Sequence, residues 1–261
     1  MTKYGLTFDV EKCCGCYACF LSCRDEFSGK DHPPTAAAQP DGHQWLRIEE
    51  VEHGEGSKVK VDYVPHLCLH CESLACAKNA PEGAVVVRDD GIVIFDPVKA
   101  KGWRSAKDDC PYGVVFWNEE AGIPQKCTLC AHMRDEGEKT TRCAECCPTG
   151  ALVFGELPDD TPGLVRVVGT PKPFLAGEVA YADRPGEPAE GVTVKLTDEN
   201  GVLFGTCTTD FLGDFEFKGL AKDSAYKVLI EQDGYEPKEI MTGVRVSTNL
   251  GTILLSWKEE N

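Results

Sequence analysis

The chain has 261 residues, with 43 acidic and 27 basic side chains and a formal net charge of −16. This charge argues against nucleic acid and against an anionic membrane surface as partners, because both are negatively charged and repel an acidic protein. The expected binding partner is another protein. No apolar run approaches the roughly 18 residues of a membrane span, so direct membrane insertion is not expected. Because the N-terminal residues show neither a signal peptide nor twin arginines, the sequence predicts a cytoplasmic protein, with export as the passenger of a twin-arginine partner as the alternative.

The first predicted element is a strand over residues 4–10, where apolar and polar residues alternate. It leads directly into a C-x2-C-x2-C-x3-C run formed by Cys13, Cys16, Cys19 and Cys23. This is the ligand spacing of bacterial 4Fe-4S clusters, in which three cysteines hold one cluster and the fourth reaches a second cluster. The run therefore requires a partner group elsewhere in the chain.

Two other roles for these cysteines are weaker. A zinc site closes with four ligands and has no use for a further cysteine three residues after a C-x2-C pair. A disulfide framework belongs to small secreted domains, whereas this chain is long, lacks a signal peptide and carries all its cysteines except Cys207 before residue 148. An iron–sulfur protein is the favoured interpretation.

Residues 24–42 are predicted to be irregular, and short strands are predicted over 44–51 and 58–64. A second cysteine group follows, in which Ala80 occupies the position of the expected fourth ligand. The cysteines of this group are Cys68, Cys71 and Cys76.

A β-hairpin is predicted next, with strands over 84–88 and 92–95 around an Asp-Asp-Gly turn. Cys110 then stands before a proline with no cysteines just upstream, as the remnant of a third group. The fourth group is complete and ends in a Cys-Pro pair, which makes it the predicted partner of the first run; it consists of Cys127, Cys130, Cys143 and Cys147.

After a predicted strand over 151–154, interpreted as the last of the cysteine-rich domain, four prolines predict an irregular linker over 158–173. Short alternating runs separated by turn signals then predict an all-β sandwich over 174–261. Its predicted strands cover 177–181, 192–197, 202–208, 215–218, 225–231, 240–247 and 250–256.

Four cysteine groups in this order, with hairpins between them and Cys-Pro at their ends, resemble the iron–sulfur subunits of molybdopterin oxidoreductases of the dimethyl sulfoxide reductase family. The C-terminal strands resemble the prealbumin-like sandwich of carboxypeptidase regulatory-like domains. Together the two resemblances imply an α+β protein: a duplicated bacterial ferredoxin-like 4Fe-4S domain over 1–157, the linker over 158–173 and the sandwich over 174–261.

The resemblance also implies how the cysteines pair. Groups one and four share two clusters in this family, and groups two and three share two more. The implied ligand sets are Cys13, Cys16, Cys19 and Cys147 for the first site, Cys23, Cys127, Cys130 and Cys143 for the second, and Cys68, Cys71, Cys76 and Cys110 for the third.

The fourth site of the family has no ligands in this chain. Counting back from Cys110 by the ligand spacing gives Ala100, Trp103 and Ala106, and the fourth position of that site is Ala80. Because all four losses fall on one site, we expect three 4Fe-4S clusters, with side chains such as Trp103 filling the fourth site. Within the family, this pattern is most similar to the small subunits of the pyrogallol–phloroglucinol transhydroxylases.

The remaining candidates receive smaller roles. Cys14 and Cys146, each beside a ligand, are expected to pack in the ligand loops rather than to replace a ligand. Cys207 is expected to be buried in a strand. Two histidines in the ligand loops, His70 and His132, are expected to form supporting hydrogen bonds rather than to bind iron. Three cations directly precede ligands and either stabilise a reduced cluster or are solvated charges; they are Lys12, Lys126 and Arg142.

No nucleophile–base pair, phosphate loop or carboxylate dyad accompanies the cysteines, which predicts a non-catalytic electron-transfer subunit without a substrate of its own. The resemblance implies a large catalytic partner subunit that carries molybdenum as bis(molybdopterin guanine dinucleotide) and acts on a phenolic substrate. Within the same class, the alternative is a subunit of a respiratory reductase linked to a membrane quinone subunit. Two further alternatives are a free-standing ferredoxin-like carrier and a purely structural cluster domain.

Overall fold

The computed structural model describes residues 3–41, 44–169 and 172–258. The chain forms two compact units, the first made of residues 1–51 and 62–170 and the second of residues 52–61 and 171–261. The predicted domain boundaries at 157 and 174 stay predictions. Within the described residues, no helix is both long and apolar enough to cross a membrane.

The first unit is organised around strand β1 (Tyr4–Asp9), which pairs antiparallel with β8 (Leu152–Glu156) and parallel with β9 (Val165–Val168). Side chains alternate along β1, so that Leu6 and Phe8 enter the core and the residues between them do not. The sheet order is therefore β8-β1-β9.

Strand β9 corrects the prediction of an irregular linker over 158–173, and β8 is not the last strand of this unit. The prolines at 158, 162, 171 and 173 suggested a segment without regular structure. However, β9 lies between the second and third of these prolines, and its backbone hydrogen bonds come from β1, more than 150 residues away in the chain. A partner this distant leaves no local signal in the sequence.

The remaining elements of the first unit are short. Two hairpins are built from β4 (Val85–Val87) with β5 (Val93–Phe95) and from β6 (Phe116–Asn118) with β7 (Ile123–Gln125); the first confirms the predicted Asp-Asp-Gly hairpin. The helices are α1 (Ala18–Phe27), α2 (Ser105–Asp109), α3 (Ala131–Asp135) and α4 (Arg142–Glu145). Single 3-10 turns cover Val10–Lys12 and Ala75–Ala77.

Helix α1 corrects the expectation that residues 24–42 are irregular throughout, because it continues to Phe27. Cys19, Cys23 and Phe27 recur every four residues and are all buried, so they form one inward face of this helix. Phe27, the apolar residue that continues this spacing beyond the two cysteines, is the feature of the sequence that indicates the longer helix.

Strands β2 (Leu46–Glu55) and β3 (Lys58–Leu67) form a two-stranded sheet and are longer than the predicted 44–51 and 58–64. The end of this hairpin, residues 52–61, belongs to the second compact unit. There the Lys58 ammonium pairs with Asp214, the Asn249 amide donates to the Glu55 carbonyl at 3.3 Å, and the His53 ring lies 5.7 Å from that of Phe174.

The second unit is a sandwich, and all seven predicted strands are present. One sheet has the order β13-β10-β16 and the other has the order β12-β11-β14-β15. The strands are β10 (Leu175–Tyr181), β11 (Thr193–Asp198), β12 (Leu203–Thr208), β13 (Asp214–Phe217), β14 (Ser224–Glu231), β15 (Lys238–Val244) and β16 (Thr248–Leu255).

Inward residues of both sheets form one apolar core that includes Val179, Leu196, Phe215 and Ile230. Cys207 is only half-buried at the edge of this core, which corrects the expectation that it is fully buried. The reason is its position on β12, an edge strand whose residues are largely exposed.

Candidate metal centre

The first predicted site lies in the loop between β1 and α1. Gly15 and Tyr17 adopt left-handed backbone conformations, which curl the loop. A Cβ atom on Gly15 would lie 2.2 Å from the Tyr63 ring, so any other residue there would have to displace that ring as well as adopt a positive φ. Burial raises the pKa of the Cys13 thiol, and the charges of Cys147 and other nearby thiols add to this effect.

The structure thus brings together the four cysteines predicted for this site. Cys19 responds in the same way: burial raises its pKa to about 12, with contributions from the charges of Cys146, Cys13 and Cys147. Burial alone would also raise the pKa of Cys147, but hydrogen bonds from the residues that follow, including the Leu152 N–H at 3.4 Å, outweigh it and lower this pKa. Cys16 completes the group on its exposed side.

The second predicted site is the most enclosed. Cys23 on α1, Cys130 beside α3 and Cys143 on α4 converge with Cys127, and all four are buried. Burial raises the pKa of each thiol, and for Cys23 the charges of the other three contribute. Apolar side chains close the site; they are Leu6, Phe27, Trp45, Leu46 and Leu129.

The loop of this site also presents backbone donors to sulfur. Leu129 and Cys130 are both left-handed, which curls the loop that leads from Cys127 into α3. The Leu129 N–H donates to Cys127 Sγ at 3.4 Å, and the Arg142 N–H donates to Cys130 Sγ at 3.5 Å. Such hydrogen bonds favour negatively charged sulfur.

The third predicted site is formed by Cys68, Cys71, Cys76 and Cys110. Burial raises the pKa of Cys76 to about 11, the charges of the other three thiols add to this effect, and the positive charge of Lys126 opposes it. The loop repeats the construction of the second site, because His70 is left-handed and its N–H donates to Cys68 Sγ at 3.4 Å.

The four positions without ligands form a packed apolar cluster instead of a site. Three of them, Ala100, Trp103 and Ala106, are buried at 0%, 5% and 0% exposure, and Ala80 packs against the same cluster. The Trp103 ring lies 5.1 Å from the Phe95 ring. Side chains therefore fill the space around these four positions, as the sequence analysis expected of Trp103.

The three thiol groups adjoin in a row. Cys19 and Cys23, one turn apart on α1, belong to the first and second predicted sites, and the charge of Cys19 contributes to the raised pKa of Cys23 and of Cys143 in the second site. The charge of Cys68 raises the pKa of Cys127, which places the third site next to the second. The second site is therefore the middle one.

The donor set fits 4Fe-4S clusters. Twelve cysteines form three groups of four, all with free thiols, which matches the four-thiolate ligation of such clusters. Among the described residues, three buried polar atoms have no hydrogen-bond partner: His70 Nε2, Thr128 Oγ1 and Trp103 Nε1. The first two belong to residues that stand in the sequence between predicted ligands, His70 between Cys68 and Cys71 and Thr128 between Cys127 and Cys130.

Two cysteines and one histidine near the predicted ligands, Cys14, Cys146 and His132, have different surroundings in the structure. Cys14 is exposed, beside the left-handed Gly15, which corrects the expectation that it packs in the loop. Cys146 is half-buried, with Sγ 3.0 Å from Ser22 Oγ and donating to the Cys143 carbonyl. His132 contacts Glu26 rather than a ligand.

Glu26 is a structural residue that the sequence analysis missed. Its carboxylate accepts hydrogen bonds from His132 Nε2 and from Arg142 Nε, both at 2.9 Å, and so joins α1 to α3 and α4 around the second site. Burial raises the pKa of Glu26, but these two partners outweigh burial and hold the pKa below its usual range. No motif marks this contact, because its partners lie more than 100 residues away.

Comparison with known proteins agrees with this architecture. The model of the 4Fe-4S dicluster domain matches residues 59–157, and that of the carboxypeptidase regulatory-like domain matches residues 175–254. These matches confirm the predicted fold class, a 4Fe-4S domain followed by an all-β sandwich.

Among curated proteins, the chain is 33% identical to the pyrogallol hydroxytransferase small subunit of Pelobacter acidigallici, with 98% of this chain and 100% of that protein covered. It is 34% identical to a putative dimethyl sulfoxide reductase iron–sulfur subunit of Halobacterium salinarum, with 61% and 68% covered. It is also 36% identical to an anaerobic dimethyl sulfoxide reductase chain of Escherichia coli, with 60% and 75% covered. The chain therefore belongs to the iron–sulfur electron-transfer subunits of the dimethyl sulfoxide reductase family, together with the small subunit of pyrogallol hydroxytransferase.

Proposed function

We propose that the chain carries three 4Fe-4S clusters and transfers electrons within a complex with a large molybdopterin subunit that acts on a phenolic substrate. The observation that carries the cluster count is the contrast between three groups of four thiols and the apolar packing around Ala80, Ala100, Trp103 and Ala106. The ligands would be the twelve predicted cysteines. When bound, each cluster supplies one-electron transfer.

The residues of the chain control the surroundings of these clusters. The first site lies partly at the surface, because Cys16 is exposed and Cys13 and Cys147 are half-buried, and this is where electrons would enter or leave toward the catalytic subunit. The second site excludes water with its apolar lining. Backbone N–H groups that donate to ligand sulfur stabilise the negative charge of a reduced cluster.

The large partner subunit is proposed to hold bis(molybdopterin guanine dinucleotide) and to act as a transhydroxylase, hydroxylase or dehydroxylase on a polyphenol. The name of the Pelobacter acidigallici relative supports the phenolic substrate, and the match over its whole length supports the same role for this chain. In this proposal, the complex works in the cytoplasm without a membrane subunit.

Iron and sulfide analysis of the anaerobically purified protein tests the cluster count, with twelve irons per chain expected. Sixteen irons would contradict it, because a fourth cluster would then occupy the apolar site. The substrate is tested separately on the two-subunit complex, which should act on a polyphenol without any membrane fraction. Activity that appears only with added membranes and is blocked by quinone-site inhibitors would instead favour the respiratory alternative.

A further inference from the structure

Three cations directly precede predicted ligands, but only one of them is buried. The Lys12 side chain is 61% exposed and pairs with Asp9 at 2.9 Å. Arg142 pairs with Glu26 at 2.9 Å and with Glu145 at 2.6 Å. Lys126 is only 3% exposed, and no ion pair with a carboxylate is found for it among the described residues.

Backbone and aromatic groups surround the Lys126 ammonium. It donates to the Val93 carbonyl at 2.5 Å and to the Cys127 carbonyl at 3.3 Å, and it lies 5.0 Å from the centroid of the Phe95 ring. These contacts satisfy its hydrogens but do not neutralise its charge. A buried charge of this kind is costly unless an opposite charge lies nearby.

Predicted ligands of two different sites lie near this charge. The Lys126 ammonium donates to the carbonyl of Cys127, a predicted ligand of the second site, and it lies over the Phe95 ring, which packs in the same cluster as Cys76 and Cys110 of the third site. In agreement with this placement, burial raises the pKa of both Cys76 and Cys127, and the positive charge of Lys126 opposes that rise. None of the contacts described for the Lys126 ammonium involves a cysteine of the first site.

Val93 in β5 positions this charge together with His70. The Val93 carbonyl accepts from Lys126, and the Val93 N–H donates to His70 Nδ1 at 3.0 Å. Because Nδ1 accepts a hydrogen, the imidazole proton must be on Nε2, the buried atom without a partner. One strand residue thus holds both the Lys126 ammonium and the His70 ring in place.

We propose that Lys126 is a fixed positive charge shared by the second and third sites, and that it raises the reduction potentials of both clusters while leaving the first cluster unchanged. The inference rests on the proposed three-cluster function. A positive charge stabilises the more negative, reduced form of a cluster, and its effect is strong where water is excluded. Two neighbouring clusters with potentials raised together would favour electron residence on that side of the chain.

The test is a redox titration of the holoprotein followed by electron paramagnetic resonance. Lys126→Met removes the charge and keeps an unbranched side chain, and it should shift two of the three midpoint potentials downward. The unshifted signal should be the one that Cys147→Ser perturbs. Lys12→Met is the matched control, because Lys12 has the same sequence position before a ligand but is exposed and paired, and it should leave all three potentials unchanged.

Two more variants separate charge from packing. Lys126→Gln is a second neutral variant that keeps an N–H donor, and it should shift the potentials as Lys126→Met does; Lys126→Arg should keep wild-type potentials. Neutral variants with twelve irons and wild-type potentials would overturn the inference, as would loss of iron from all three variants, including Lys126→Arg. Loss of iron from the neutral variants alone would support a requirement for the charge. A wild-type iron count other than twelve would contradict the proposed function itself, before any variant is compared.

Discussion

Replacement of Trp103 by alanine tests whether the position of the missing fourth cluster is a true apolar core. The side chain is 5% exposed, and two of its neighbours in that cluster, Ala100 and Ala106, are too small to fill the space that it would leave. Loss of a buried tryptophan costs about 3–5 kcal/mol. The variant also loses the buried Nε1 donor that has no partner, which offsets roughly 1 kcal/mol of that cost. The free energy of unfolding should therefore decrease by about 2–4 kcal/mol.

For a unit of this size, that loss corresponds to a decrease in the melting midpoint of roughly 4–16 °C. The midpoint can be followed anaerobically by the bleaching of the cluster absorbance. Purified Trp103→Ala should still contain twelve irons, because position 103 supplies no ligand. Tyr112→Ala, at a side chain that is 48% exposed, is the control and should change stability by about 0.5 kcal/mol or less. An unchanged midpoint in Trp103→Ala, or a loss of iron at full stability, would refute the reasoning.

Three other predictions concern the first site, Glu26 and the sandwich. Cys147→Ser should lose iron from the first site, whereas Cys146→Ser should keep all twelve irons, and equal iron losses would mean that the ligand is wrongly assigned. Because the folded pKa of Glu26 is lowered, its carboxylate stabilises the fold fully above pH 4.5, and this stabilisation is lost as the pH falls through the folded pKa. Glu26→Gln should therefore cost about 1–2 kcal/mol at pH 7 in urea titrations, and the difference from the wild type should shrink as the pH falls below 4.5. A difference that stays constant with pH would contradict this account. The fragment 174–261 should melt cooperatively without iron, because the sandwich core lies within it. Adding residues 52–61 as a separate peptide should raise the melting midpoint of this fragment, because these residues belong to the same compact unit. A fragment that does not melt cooperatively would show that its core is insufficient for folding.

Local sequence patterns were sufficient to predict those features of the structure that depend on neighbouring residues alone. The spacing of Cys13, Cys16, Cys19 and Cys23 follows from the curvature of a loop that must point several sulfurs at one centre, so it can be read without the fold. The seven sandwich strands were predicted because alternation and turn residues reflect a two-sided sheet at every strand. The loss of one site could likewise be found by counting, once the family resemblance had assigned the pairing.

Tertiary structure alone decided the features that depend on distant parts of the chain. Lys12, Lys126 and Arg142 occupy equivalent positions in the sequence, yet only Lys126 is buried, because β5 and Phe95 close over it. The pairing of β9 with β1 and the assignment of residues 52–61 to the second unit depend in the same way on contacts between segments far apart in sequence. Burial and charge pairing are properties of the three-dimensional surroundings of a side chain, and residues adjacent in sequence do not determine them.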